Sequence, residues 1–483
     1  METLLTAASI IVFCALAALA IWQVRSVAKR GLRSARCVVI VHCALACYPL
    51  AFDWVNGRPA HEYYPGFRAA SEETFVTLIY LLYMLVTPCI LLSLERPYHH
   101  LNYRGRQTWH DLSKDMVAFR PLFYIIAAGP ILYAVILPDR AAFTTYALAA
   151  TSILDSDTAG QFKVLYPLTY FALLACVILL LTSKRLKTTL LAVLPFIAAA
   201  AWLNGKRNIV ALAAILVLGS LRVTKRLTDL RFGILLALCI PPYFVYSSWY
   251  QQSFRPSLEL TGTTLEARRA DLSRDADIKL AIYAEFHQDE FPILQYRGQS
   301  LLFNFLFFVP REVWPDKPRP YFYYVTARAL MIPYTFMNWG VETSWLGEAI
   351  ANLSWPGLLI GPLLLAWLCR LGDSFQRASI TMATSVVGGL FLFIDFPGFL
   401  PIWVIMTSMM IREAVKGFRR RTLHRVAAPY SPPHSDVRTE KIYGGPRLYG
   451  YNLHNMPSRL VGRSAAPPPI SSAHNSGPPT RAV

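Results

Sequence analysis

Two runs in this chain, 4–24 and 74–94, stay apolar for about twenty residues, the length that crosses the hydrocarbon of a bilayer. In lipid each backbone N–H and C=O must be satisfied by a helix or a closed barrel, and continuous runs of this length select helices. Composition agrees. Of 483 residues, 54% are hydrophobic and only 16% charged, where a soluble domain carries about 25% charge. A water-soluble enzyme, a secreted disulfide scaffold and a disordered chain are excluded. The expected fold class is an all-α, polytopic transmembrane helical bundle.

Eleven segments read as spans: 4–24, 37–54, 74–94, 121–137, 164–182, 188–203, 208–221, 232–249, 345–369, 380–395 and 399–411. The last two can form a hairpin turning at Asp395-Phe396-Pro397-Gly398. The first run lacks a basic n-region and a small-residue cleavage site, so it reads as a retained span. Alternate loops differ in charge. Residues 25–36, 95–120, 183–187, 222–231 and 370–379 hold nineteen Lys and Arg; the short loops of the other set hold six, Arg58, Arg68, Arg140, Lys163, Lys206 and Arg207. Lys and Arg stay cytoplasmic, which places the N-terminus outside and the C-terminus inside. The net charge of +18 is then topological, and no nucleic-acid partner is expected.

The chain divides into spans one to eight (1–249), a large outer loop (250–344), spans nine to eleven (345–417) and a tail (418–483). The tail holds ten prolines and the run Arg419-Arg420-Arg421. It has too few large aliphatics to offset the entropy of ordering, so it is expected to be a disordered, basic, cytoplasmic segment near anionic head groups. The 95-residue outer loop is too long to be a mere connection. Within it, 264–286 reads as an amphipathic helix, and 298–309 is apolar enough to dip into the interface.

Chemistry-bearing residues concentrate in that loop. In Phe308-Val309-Pro310-Arg311-Glu312-Val313-Trp314-Pro315-Asp316-Lys317-Pro318-Arg319-Pro320, four prolines make a stiff turn presenting Arg311, Lys317 and Arg319 beside an apolar run. Partly desolvated cations suit phosphate recognition; the plainer alternative is local pairing with Glu312 and Asp316. Elsewhere the signals are sparse. The eight cysteines lie in or beside apolar segments, and His99, His100 and His110 lack metal-ligand spacing, so no disulfide framework, metal or cofactor is expected. Neither a Walker loop nor a dinucleotide fingerprint occurs, which argues against ATP-driven transport by this chain alone. His42, Asp53 and Asp395 are intramembrane ionisable groups, either proton-relay candidates or satisfied interior residues.

The Val-Pro-Arg-x-x-Trp-Pro-Asp-Lys-Pro stretch at 309–318, with Gly298 before it, resembles the oligosaccharide repeat-unit (O-antigen or exopolysaccharide, Wzy-type) polymerases of bacterial inner membranes. Ser344-Trp345-Leu346-Gly347-Glu348 followed by Asn352 and Gly357 is similar to that family's Gly-Glu stretch, and Asn204-Gly205-Lys206-Arg207 to its outer-face Gly-x-Arg. The likeness covers roughly 270–360 and 204–207. It implies a GT-C-like bundle and transfer of a growing glycan from undecaprenyl pyrophosphate onto the next lipid-linked repeat unit, on the periplasmic face. It also implies the lipid bilayer and a chain-length co-polymerase as surroundings and partner.

That reaction expels a pyrophosphate, whose developing charge preorganised cations stabilise by about 2.7–4 kcal/mol per donor. Arg207, Arg311 and Lys317 are the first choices, with Lys206, Arg319 and Arg274 as further substrate-binding groups. A carboxylate of raised pKa would take the proton of the acceptor hydroxyl; Glu348 is the first candidate and Glu342 the second. For Glu348 the alternative is a salt bridge or a helix N-terminal charge. Tyr323 and Trp339, among a dense group of rings, are candidate glycan platforms, though an interfacial aromatic belt explains them as well. Arg274 could instead form a solvated pair with Asp271. The rival functions are a flippase for lipid-linked oligosaccharide and an O-antigen ligase. A flippase would use broken helices and midplane charges, whereas here the polar groups gather in one loop.

Overall fold

A computed structural model describes residues 2–30, 32–95, 119–136, 156–204, 207–223, 226–254, 273–337 and 340–427, together with 117 and 269. The described residues contain no strand. The helices are α1 (Glu2–Arg30), α2 (Ser34–Asn56), α3 (Pro65–Glu72), α4 (Thr74–Ser93), α5 (Arg120–Ile136), α6 (Ser156–Thr182), α7 (Leu186–Asn204), α8 (Arg207–Val223), α9 (Asp229–Phe254), α10 (Asp275–Phe286), α11 (Gln299–Phe305), α12 (Tyr321–Ala329), α13 (Trp345–Leu353), α14 (Gly357–Ser374), α15 (Ala378–Leu390) and α16 (Phe396–Ala427).

Five helical stretches are long and apolar enough to cross a membrane: Thr3–Val27, Ser34–Asn56, Thr74–Ser93, Leu186–Asn204 and Gly357–Ser374. Four shorter apolar helices, Arg120–Ile136, Leu168–Thr182, Arg231–Tyr243 and Ile380–Leu390, fall below that length. The exterior is apolar too: Ile11, Phe75, Leu82, Ile125, Leu191 and Trp367 are all exposed. Lipid accepts such a surface and water does not. Proline inside α2, α4, α5, α7, α9 and α14 is tolerated because neighbouring helices re-satisfy the freed carbonyls.

Packing forms one core around α1, α2, α4, α10, α13 and α14, including Val38, Val39, Cys43, Tyr80, Leu280, Ile350 and Cys369. A second core joins α6, α8, α15 and α16, and a third joins α5, α6 and α7. Helix α2 is fastened at both ends by buried polar groups. At its start Ser34 donates to Asp373, and Arg33 and Arg36 pair with Glu95 at 3.4 and 2.9 Å. Near its end Asp53 takes Arg269 at 2.5 and 2.8 Å, and Arg269 also grips Asp275 at 2.8 Å. His42, midway, bonds the Met84 carbonyl at 3.0 Å, so it is a satisfied interior histidine.

The turn expected at Asp395-Phe396-Pro397-Gly398 lies instead at 391–395, because α15 ends at Leu390 and α16 starts at Phe396. Three larger boundaries differ from the sequence reading. Residues 345–369 are two helices, not one span. Ser354 takes φ 60°, and Pro356 lacks the N–H that would continue the helix, so α13 stops at Leu353 and α14 starts at Gly357. The helix expected over 264–286 begins at Asp275; residues 264–268 and 270–272, Asp271 among them, lie outside the described residues. In the tail assigned as disordered from 418, helix α16 continues to Ala427, and 428–483 lie outside the described residues.

Candidate functional site

The split after Leu353 puts Glu348 on a helix of nine residues, about 13 Å long and too short to cross a bilayer. Ser344 caps it: its hydroxyl accepts from the Gly347 N–H at 3.1 Å. The same Ser344 donates its backbone N–H and its hydroxyl to Asp277 of α10, at 2.8 and 3.0 Å. The Asp277 carboxyl therefore lies against the first turn of α13. A Cβ on Gly347 would meet Asp277 Oδ2 at 2.7 Å, closer than side chains pack. Gly347→Ala should cost about 1–3 kcal/mol, read as a lower midpoint of thermal unfolding in detergent with no change in helix content.

Glu348 is buried and faces α11. Gly298, at φ 80°, starts that helix in a left-handed conformation, and Ser300 and Asn304 follow one turn apart on one face. The Ser300 hydroxyl and the Asn304 amide both donate to Glu348 Oε1 at 2.8 Å. Asn352, one turn beyond Glu348, donates to Ser300 Oγ and to the Glu348 carbonyl, each at 2.7 Å. Two polar pairs spaced i, i+4 thus interlock across α11 and α13. Among the described residues no cation reaches Glu348, and its Oε2 accepts no hydrogen bond.

Burial pushes the Glu348 pKa up to about 7; the Ser300 bond opposes the shift, and Asp395 adds to it. Burial also lifts Asp277 to about 6 against its bonds from Ser344. The Tyr321 hydroxyl interacts with that carboxyl, yet Tyr321 Oη and Asp277 Oδ1 make no well-formed hydrogen bond and both are buried. The site thus joins two buried acids and a phenol. One oxygen of the Glu348 carboxyl is held by two donors and the other takes none among the described residues, which leaves it a lone pair for a proton.

The remaining sequence-predicted residues sit around this centre in different ways. Glu342 pairs with Arg274 at 2.5 Å, and Arg274 also donates to the Phe393 and Ser273 carbonyls. Arg274 is consequently a strut between α10, the turn after α15 and the Glu342 segment. Lys317 Nζ donates to the Phe307 and Val309 carbonyls at 2.6 and 2.8 Å, just past α11, and lies 5.0 Å from the Phe303 ring. Arg311 donates to the Lys317 and Pro318 carbonyls at 2.8 and 3.2 Å, closing the proline-rich turn on itself. Arg319 donates to the Met337 carbonyl at 2.6 Å and stacks 5.3 Å over Tyr323. Glu312 and Asp316 take none of these cations. The turn braces the helix that presents Ser300 and Asn304, and parts of each guanidinium remain uncommitted.

Arg207 opens α8, but its side chain, like Lys206 and Trp339, lies outside the described residues. Asn204, just before, donates to Thr169 at 2.7 Å. Sequence reasoning missed Ser300, Asn304 and Asp277, and read Tyr321 only as one ring of the aromatic group, not as a neighbour of Asp277. A signal for the first two exists: polar residues four apart within the otherwise apolar 298–309. For Asp277 and Tyr321 nothing local distinguishes them from neighbouring acids and rings. A comparison of the chain with protein-family models, curated proteins and solved structures finds no match.

Proposed function

We propose that the protein is a membrane glycosyltransferase that polymerises undecaprenyl-pyrophosphate-linked oligosaccharide repeat units into O-antigen or exopolysaccharide. In this reading the chain spans the bacterial inner membrane eleven times, with its N-terminus and the 250–344 segment periplasmic and its tail cytoplasmic. A chain-length co-polymerase is the expected partner.

The observation that carries the proposal is Glu348: a buried carboxylate with one oxygen anchored by Ser300 and Asn304 and the other without a donor among the described residues. The proline-rich motif that resembles the polymerases buttresses that same helix α11. In the reaction, the acceptor hydroxyl of one lipid-linked unit attacks the anomeric carbon at the reducing end of the growing glycan. A C–O bond forms there as the bond to the pyrophosphate oxygen breaks. The hydroxyl proton passes to Glu348 Oε2, and the departing undecaprenyl pyrophosphate takes the electron pair. In this reading Arg311, Lys317 and Arg319 meet that charge with N–H groups beyond those they donate to carbonyls, and Arg207 is added on the sequence resemblance alone.

A strain lacking the protein should accumulate single repeat units on the lipid carrier; unchanged long glycan would remove the assignment. Reconstitution with purified lipid-linked repeat unit separates the alternatives, because a polymerase lengthens the glycan, a flippase moves it across and a ligase transfers it only to another acceptor. Topology is tested by labelling Arg311→Cys with a membrane-impermeant maleimide. Reaction from the periplasm is expected, and reaction only from the cytosol would refute the placement.

A further inference from the structure

A cavity of about 170 Å³ opens beside the Glu348 site, lined by Glu285, Gln288, Gln295, Tyr296, Arg297 and Ala351 among others. Its floor is rigid. The Glu285 side chain is 2% exposed, and its carboxylate takes Arg297 at 2.5 and 2.9 Å, Gln288 at 2.6 Å and Ser354 at 2.5 Å. Arg297 also donates to the Ala351 carbonyl at 2.7 Å. Across the mouth, Gln295 is locked to Gln299 by two hydrogen bonds, at 2.9 and 3.1 Å.

Charge decides the ligand class. Glu285 and Arg297 neutralise each other within the pocket, so no net positive charge is left for a phosphate. What remains is a mixed set: the Gln288 carbonyl as acceptor, the Gln295 amide and the outward N–H groups of Arg297 as donors, and the half-exposed Tyr296 ring as an apolar face. A neutral polyol with one C–H face matches all of these. Size limits the ligand to a single ring, since about 150 Å³ holds one benzene and the cavity is only slightly larger. The pocket is also joined to the Glu348 site by both of its walls. Ala351 lies three residues beyond Glu348, about 4.5 Å further along α13, and Arg297 precedes Gly298, where α11 begins.

We infer that this cavity is a binding subsite for one neutral pyranose ring, holding a sugar of the glycan one helical turn from Glu348. The identity of that sugar as part of the substrate rests on the glycosyltransferase reading; the pocket's preference for a neutral sugar over an anion does not.

The test uses full-length protein in detergent and a panel of methyl glycosides (glucose, galactose, mannose, rhamnose and N-acetylglucosamine), with saturation-transfer NMR as the readout. At least one glycoside should bind, and Gln288→Leu and Tyr296→Ala should each weaken it tenfold or more. Glu348→Gln should leave that binding unchanged, and inorganic pyrophosphate should not compete for it. Tyr296 is half exposed, so its truncation tests the pocket without threatening the fold. No binding by any glycoside, binding indifferent to both variants, or displacement by pyrophosphate would overturn the inference. Glycoside binding that depends on these residues in a protein that fails to extend lipid-linked glycan would keep the subsite and discard the polymerase; extension indifferent to both variants would do the reverse.

Discussion

Glu348→Gln is expected to abolish glycan extension, lowering its rate by about 10²–10⁴-fold, while making the protein more stable at alkaline pH. The two effects share one cause. Burial lifts the folded-state pKa from 4.5 to about 7, so the folded protein holds a proton that the unfolded chain releases above about pH 4.5. The stability linked to that proton is fully present below pH 4.5 and is lost as pH rises through 7. At pH 8 the ionised carboxylate is therefore held at a cost of about 3 kcal/mol, and the neutral, isosteric amide removes it. Thermal unfolding of the two proteins at pH 4.5 and pH 8 should show the variant's advantage only at the higher pH. In the wild type the rate of extension should rise about tenfold per pH unit below 7 and then level off. A variant that still extends glycan would remove Glu348 as the base; one destabilised equally at both pH values would make its role structural.

The second large effect concerns the fastening of α2 to α10. Arg269→Ala should destabilise the protein by about 3–5 kcal/mol, because Asp53 would lose its cation and Asp275 would keep only Lys279, at 3.1 Å. Burial alone would raise the Asp275 pKa, but Arg269 and Lys279 more than offset it and hold the pKa well below 3.8. The stability this contributes is present above pH 3.8 and is lost as pH falls through the lower folded value. Unfolding midpoints in detergent should therefore fall for Arg269→Ala at pH 7. The gap to wild type should narrow at strongly acid pH, and Arg269→Ala with Asp275→Asn should recover part of the loss. An unchanged midpoint for Arg269→Ala would show that water replaces the guanidinium without penalty.

Glu348 shows how far the sequence reading carried. Its residue type and its place after Ser344-Trp345-Leu346-Gly347 picked it out, yet as a residue opening a membrane span. The break at Ser354-Trp355-Pro356 moves it onto a separate helix, and proline chemistry makes that break understandable in retrospect. Arg311 and Lys317 also stood out by type, as cations facing a diphosphate. Their partners proved to be carbonyls within the same turn, six and eight to ten residues away along the chain. Neither Glu312 nor Asp316 takes them, although local pairing was the simpler expectation.

The apolar runs by themselves determined that the chain is helical and lipid-compatible, because unpaired backbone groups cannot be left in hydrocarbon and a run of about twenty residues satisfies its own. Composition also located helical structure at each candidate span, although 345–369 proved to be two helices and the last helix runs sixteen residues past its expected end. Only the tertiary structure decided which polar side chains meet. Ser300 reaches Glu348 across 48 residues, Ser344 reaches Asp277 across 67 and Arg269 reaches Asp53 across 216. Those contacts depend on how helices pack against one another, and helix packing is set by the summed fit of many apolar side chains, which no local pattern encodes.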